Sequence, residues 1–268
     1  MKLRVVLETM AVVSALSVMA QDKETDEAFD LAMKLSNPIA SLISVPLQYN
    51  FDHNMGPDNK GSRSLLNIQP VIPISLGRDW NVISRTIVPL VDMQDMPYGD
   101  KSGMGDMLQS LFFSPKKPTA NGIIWGVGPA LLLPTATDEV LGGEKWGAGP
   151  TAVALKQSGP WTVGLLFNHI WSYAGETDRE DINATFVQPF TTYLFKKTKT
   201  TIVLNTETSY DWDADTWSVP VNMTVNQMLK IKGQILQVFA GPRYWAESPD
   251  GGPEDFGFRA GLTLLFPK

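Results

Sequence analysis

The sequence predicts an all-β fold, a transmembrane antiparallel β-barrel of about 12 strands with a short N-terminal helix. Three observations carry this expectation. The chain closes on a strand in which Phe256, Phe258, Ala260, Leu262, Leu264 and Phe266 alternate with Gly257, Arg259, Gly261 and Thr263, so one face is oily and the other small or polar. Its length matches the roughly 9–11 residues that a tilted strand needs to cross hydrocarbon, about twice a common soluble strand. The same period-two alternation recurs along most of the chain, separated by turn residues. The connections between these segments alternate between short and long, and their charges sort with their length.

Composition agrees. The 268 residues include 22 Gly and 19 Pro, with 10% aromatics, which suits many strands and turns. No uncharged apolar run reaches the roughly 18 to 20 residues of a membrane helix, so a helical membrane protein is excluded. There are no cysteines, hence neither a disulfide framework nor a thiolate metal site, and a formal net charge of −6 disfavours nucleic acid as a partner.

At the N-terminus, Lys2 and Arg4 precede an apolar run from Met10 to Met19, and Val18-Met19-Ala20 fits small-residue cleavage before Gln21. Residues 1–20 therefore read as a signal peptide, with Glu8 its one discordant member. Residues 21–37 read as a helical segment, Thr25 its N-cap and Ala28, Phe29, Leu31, Ala32 and Leu35 at near-helical spacing, ended by Asn37-Pro38. A plug or periplasmic flap and an end packed loosely on the barrel rim are both open readings.

Residues 38–268 read as the barrel. The first segment sets Ile39, Ile43, Val45, Leu47, Tyr49 and Phe51 against Ser44, Gln48, Asn50 and Asp52. The second, 66–76, sets Leu66, Ile68, Ile72 and Ile74 against Asn67, Gln69 and Ser75. In the third, 80–91, Arg85 argues that the odd face turns away from lipid. The fourth, 106–114, has the weakest pattern. The fifth, 123–133, and sixth, 148–157, point Trp125, Val127, Leu131, Val153 and Leu155 outward, leaving Ala152, Ala154 and Lys156 inward. The seventh carries Trp161, Val163, Leu165, Phe167, Trp171 and Tyr173 on one face, aromatic at both ends as in a membrane girdle. The eighth, 182–194, has no readable orientation. The ninth turns Asn205 and Glu207 inward, the tenth Asn222, Thr224 and Asn226, and the eleventh Gln237 and Arg243. In the twelfth, Arg259-x-Gly261-x-x-Leu264-x-Phe266 resembles the C-terminal signal of bacterial outer-membrane barrels, although Pro267 and Lys268 follow the last aromatic. That resemblance implies the barrel-assembly machinery as a partner, beside membrane lipid.

An even strand count puts both chain ends on one side. The long connections, at 52–63, 92–104, 135–146, 174–181, 211–216 and 247–255, hold most of the acidic residues; the short ones hold Arg78, Lys116, Lys117, Lys196, Lys197, Lys199, Lys230 and Lys232 against Asp79. A basic periplasmic rim and an acidic outer mouth are expected, in a monomer. Prolines 46, 70, 73, 89, 129, 150, 189, 220 and 242 lie inside the segments, and each leaves a ladder carbonyl without its donor. Bulges and kinks are the expected consequence.

Several stretches resemble the Gram-negative outer-membrane transporter family filed under the MetA pathway of phenol degradation. They are Leu66-Asn67-Ile68-Gln69-Pro70-Val71-Ile72-Pro73, Trp80-Asn81-Val82-Ile83-Ser84-Arg85-Thr86, Trp125-Gly126-Val127-Gly128-Pro129, Leu133-Pro134-Thr135-Ala136-Thr137, the run from Trp146 to Trp161, and Arg243-Tyr244-Trp245-Ala246. The resemblance implies an outer-membrane channel or transporter for small, aromatic compounds and defines no binding residues.

Catalytic chemistry is thin. With only His53 and His169 and no cysteine, neither a metal cluster nor any other cofactor is expected. An outer-membrane hydrolase would have to use His169, but its neighbour Asn168 points to the opposite face. Gly126-x-Gly128 and Gly147-x-Gly149 lie in strands without a following helix, unlike phosphate loops. The candidate site is therefore the barrel interior, lined by Arg85, Lys156, Asn205, Glu207, Asn222, Gln237, Arg243 and Arg259. These charges either line water for a small-molecule solute or pair into a nearly closed lumen; a structural or adhesive barrel is the remaining class.

Overall fold

The computed structural model describes residues 29–267. The leader expected over residues 1–20 and the N-cap expected at Thr25 lie outside them. The strand segments are β1 (Ile43–Met55), β2 (Gly61–Ile68), β3 (Val71–Leu76), β4 (Trp80–Gln94), β5 (Lys101–Met104), β6 (Met107–Pro115), β7 (Ile123–Leu133), β8 (Lys145–Ser158), β9 (Trp161–Gly175), β10 (Asn183–Phe195), β11 (Thr200–Thr206), β12 (Thr208–Asp211), β13 (Thr216–Ile231), β14 (Gln234–Glu247) and β15 (Asp255–Phe266). β2 with β3, β5 with β6, and β11 with β12 are halves of interrupted strands, so the sheet is a closed barrel of 12 antiparallel staves. Closure runs through β15, whose residues from Phe258 to Phe266 pair β1 in register from Phe51 to Ile43. The weakly patterned fourth segment forms because β5 and β6 both pair β4, so its neighbour's ladder imposes what its side chains do not.

The outer surface follows the alternation. Ile72, Val127, Val163, Leu165, Met223, Val225, Phe258 and Phe266 all stand exposed around the barrel. Aromatic pairs mark both ends of this apolar belt. Trp80 meets Trp125 edge-on at 5.9 Å and Trp161 meets Tyr193 at 4.8 Å toward the short turns, while Tyr210 with Trp217 at 4.6 Å and Tyr244 with Phe256 at 4.8 Å lie toward the long loops. Paired rings at two heights are the girdle arrangement of barrels that sit in lipid.

Inside, the chain entering at the short-turn end supplies the apolar core. Residues 29–35 are helical, and Ala32, Ala40 and Leu42 are buried against Leu194, Met228 and Leu265. Gln157 Nε2 donates to the Met33 carbonyl at 2.8 Å and ties this segment to the turn between β8 and β9. Further in, Ile39 packs among Ile83, Phe112, Val153, Leu155 and Leu166. This explains the one inverted orientation. Val153 and Leu155 face inward, fully buried, whereas Ala154 and Lys156 are exposed on the outside. Parity alone cannot anticipate an apolar segment returning into the lumen, which makes an inward oily face favourable at about 1.5–3 kcal/mol for each large side chain buried. Lys156 lies near the short turn, where its stem can run along the barrel to the polar rim.

The prolines do less to the barrel than expected. Pro129 stands opposite Pro150, and the ladders on both outer sides lose a few pairs there, between Ser110↔Ala130 and Phe113↔Val127 and between Ala148↔Trp171 and Thr151↔Asn168. The register is the same before and after each gap. Register shifts occur at Asp52/Met55, Trp146/Gly147 and Val219/Pro220, and again across Pro89, where β4 passes from Ile87↔Leu108 with β6 to Leu90↔Met104 with β5, so two of the four involve a proline. Proline's fixed φ is compatible with an extended strand, so at Pro129 and Pro150 flanking pairs hold the register while single hydrogen bonds are lost.

Candidate functional site

One wall of the lumen is a continuous ion-pair network built on adjacent staves. Glu207 sits in the interruption between β11 and β12, opposite Pro220, where its amide donates to the Pro220 carbonyl at 3.1 Å and no donor answers from the proline. Arg259 on β15 grips its carboxylate with both Nη1 at 2.9 Å and Nη2 at 2.6 Å and turns Nε to Asn50 Oδ1 at 2.7 Å. Arg243 on β14 donates to Glu207 at 3.2 Å, to Asn222 Oδ1 at 2.9 Å and to Asp52 Oδ1 at 2.9 Å. Asp52, whose side chain is 0% exposed, also accepts from Arg63 at 2.9 Å and from the Trp245 indole at 2.8 Å. The Arg243 guanidinium lies over the Trp245 ring, 4.8 Å from its centroid. Below the network Asn222 donates to Asn205 at 3.0 Å and Asn226 to Gln237 at 3.1 Å.

The opposite wall is apolar. Ile83, Phe112, Leu155 and Leu166, with Phe186 and Phe190 beside them, form it from β4, β6, β8, β9 and β10. Glycines make room for two aromatic rings against the barrel wall: a Cβ on Gly164 would meet the Phe190 ring at 2.4 Å, and one on Gly261 would meet the Phe239 ring at 2.3 Å. Between the walls is a cavity of about 230 Å³, bounded toward the short-turn end by Leu35, Ser36 and Pro38. A second cavity of about 170 Å³ lies on the side of Lys34, Asn37 and Leu42. Gln69 and Arg85 line both.

Of the residues expected inside, Arg85, Asn205, Glu207, Asn222, Gln237, Arg243 and Arg259 have their side chains in the lumen, and all but Arg85 belong to the bonded wall. Lys156 does not, being exposed on the outer surface. Arg63, Trp245 and Asp52 are not among the residues expected to line the interior, although Asp52 falls on the polar face of the first segment. Asp52 belongs to the inward series Gln48, Asn50, and Arg63 extends Asn67, Gln69 backwards, so parity carried past the expected start of the second segment is the signal that would have found Arg63. His169, on the outer face of β9, shares a 2.7 Å hydrogen bond between Nδ1 and Thr185 Oγ1 and stacks 4.0 Å from Trp171. These are contacts of a girdle residue.

The barrel is similar to an outer membrane channel from Pseudomonas putida F1, with a TM-score of 0.66 and 17% sequence identity over 84% of this chain and 95% of that one. It is also similar to the β domain of a Bordetella autotransporter, at a TM-score of 0.47 and 10% identity over 84% of this chain and 100% of that one. No family model matches the sequence, so the resemblance to the phenol-degradation family rests on the stretches quoted for it alone. No curated protein matches the chain. At 17% identity the likeness to the P. putida channel shows the fold, a closed barrel of this size.

Proposed function

We propose that this protein is a bacterial outer-membrane channel that passes small, weakly polar or aromatic solutes. The observation that carries the reading is the inverted distribution of polarity: apolar side chains and two aromatic girdles outside, a charged and amide-lined wall around a cavity inside. A soluble barrel would turn its oily face to the core, whereas a barrel in lipid must do the reverse. The leader at residues 1–20 would supply export, and the exposed phenylalanines of β15 the strand that the assembly machinery receives. A lumen charged on one wall and oily on the other favours a solute with one polar end. The cavity, the segment 35–38 beneath it and the intermediate strand number argue against a wide general pore.

The test is planar-bilayer conductance of the purified protein beside a variant lacking residues 22–36, paired with uptake of phenolic and inorganic solutes into vesicles. The wild type is expected to conduct weakly, the deletion variant more strongly, and the phenolic solute to enter faster than an inorganic ion of similar size. Large ohmic conductance of the wild type without solute preference would overturn the narrow-channel reading.

A further inference from the structure

We infer that Arg85 is the anchor of a lumenal binding site for a small organic carboxylate whose apolar body rests on Phe190 and Phe239. The lumen is rich in guanidiniums and poor in carboxylates. Arg63, Arg243 and Arg259 already share Asp52 and Glu207. Arg85 stands apart from them with no carboxylate within ion-pair distance among the described residues, in a chain whose net charge is −6. Among the described residues its side chain makes one hydrogen bond, from Nη2 to Gln69 Oε1 at 2.9 Å, which leaves further guanidinium donors on a residue that lines the cavity. Half-buried, Arg85 feels the attraction of Glu207 only from beyond ion-pair distance, and a carboxylate accepted by the planar fork of the guanidinium gives it a direct partner.

The surroundings narrow the ligand further. Gln69, Gln188 and Asn205 border the cavity with Arg85, while Phe190 and Phe239 line it from β10 and β14. At about 230 Å³ the cavity falls below the roughly 300–1,000 Å³ of drug-sized pockets, so it suits a monocyclic or short-chain acid and excludes a large one. Arg85 also lines the second cavity toward the short-turn end, so the guanidinium stands where the two spaces meet. An anion held there sits on the route between the lumen and that end. The assignment rests on the channel reading for its meaning, and the two fail separately, because binding is measured without passage.

The experiment is calorimetric titration of the full chain, purified in detergent, with benzoate, benzyl alcohol and benzylamine, which share a ring and differ in charge. Benzoate is expected to bind about tenfold or more tighter than benzyl alcohol, as a charge-assisted hydrogen bond implies, and benzylamine not measurably. Arg85→Gln should erase the preference for benzoate while leaving benzyl alcohol unchanged, Arg85→Lys should retain part of it, and Phe190→Ala should weaken both ring ligands. Equal binding of benzoate and benzyl alcohol by the wild type overturns the site, as does a benzoate preference that survives Arg85→Gln. If Arg85→Gln fails to fold, the wild-type series and Arg85→Lys decide alone. Benzoate binding by a protein silent in bilayers would keep the site and remove the channel.

Discussion

Glu207 holds two guanidiniums at once, and that arrangement sets what its loss would do. Removing the carboxylate leaves Arg259 and Arg243, with side chains 3% and 5% exposed, facing each other without the charge between them. Breaking a buried pair from one side costs about 3–5 kcal/mol, because the surviving charge stays desolvated. Glu207→Ala is therefore expected to lower the temperature of the heat-induced shift in gel migration and to reduce the urea midpoint in vesicles; a midpoint equal to the wild type would show the network to be ornamental to stability. A smaller change tests the aromatic lining. Gly164→Ala must displace the Phe190 ring and also meets Leu155 Cβ at 2.7 Å, an overpacking that costs about 1–3 kcal/mol and moves the ring into the cavity. Uptake of a ring-bearing solute should fall more than conductance of an inorganic ion. At this scale the sequence was legible wherever alternation was clean, as at Glu207, Asn222, Arg243 and Arg259. It was not legible for Lys156, whose strand turns its oily residues to Ile39, a contact from more than a hundred residues away in the chain.

The staves were easier to place than their ends. Residues 123–133 of the fifth expected segment coincide with β7, while β1 starts at Ile43 instead of Ile39 because Ile39, Ala40 and Leu42 are spent on packing inside the barrel. Proline is the element whose cost the sequence overstated. Pro220 leaves the Glu207 carbonyl without a ladder donor yet keeps the strand paired to β11 and β12 in one register, so Pro220→Val should regain one hydrogen bond, about 0.5–1.5 kcal/mol, without altering that register. Destabilisation on denaturant titration would mean that the kink itself is needed. The long loops have their own fastening. Lys101 Nζ meets Asp138 at 2.7 Å, and Asp138 also accepts the Val140 amide at 3.0 Å. These bonds, that from Lys101 foremost, hold the Asp138 carboxyl below its ordinary value. Because the folded value is depressed, the staple is complete above the ordinary carboxylate range and is lost only as pH falls through the lower one. Protection of the Val140 amide from hydrogen exchange should thus persist through mild acidification and disappear in Asp138→Ala at every pH, since alanine has no acceptor for it.

Taken whole, the molecule is polar in three directions: oily to oily-belt height outside, charged on one inner wall, and acidic at one rim against basic at the other. The last asymmetry bears on how the barrel sits. Both described chain ends lie with the short turns, since 12 is an even number of staves, and those turns carry Lys116, Lys117, Lys196, Lys197 and Lys199. Barrels of this class place short turns toward the periplasm and long loops outside. The acidic loops, including the one at 176–182 with Asp178, should then face the medium. Asp178 and Lys197 are both exposed, so neither is shielded from a reagent by the fold. Single cysteines at these positions in a chain that has none give a clean contrast on intact cells treated with a membrane-impermeant maleimide. Asp178→Cys is expected to label at once and Lys197→Cys only after the outer membrane is opened. The opposite pattern would invert the topology and place the segment 29–38 at the outer mouth. Equal labelling of both before permeabilisation would remove the outer-membrane location, because a polar reagent reaches both rims together only when no bilayer separates them.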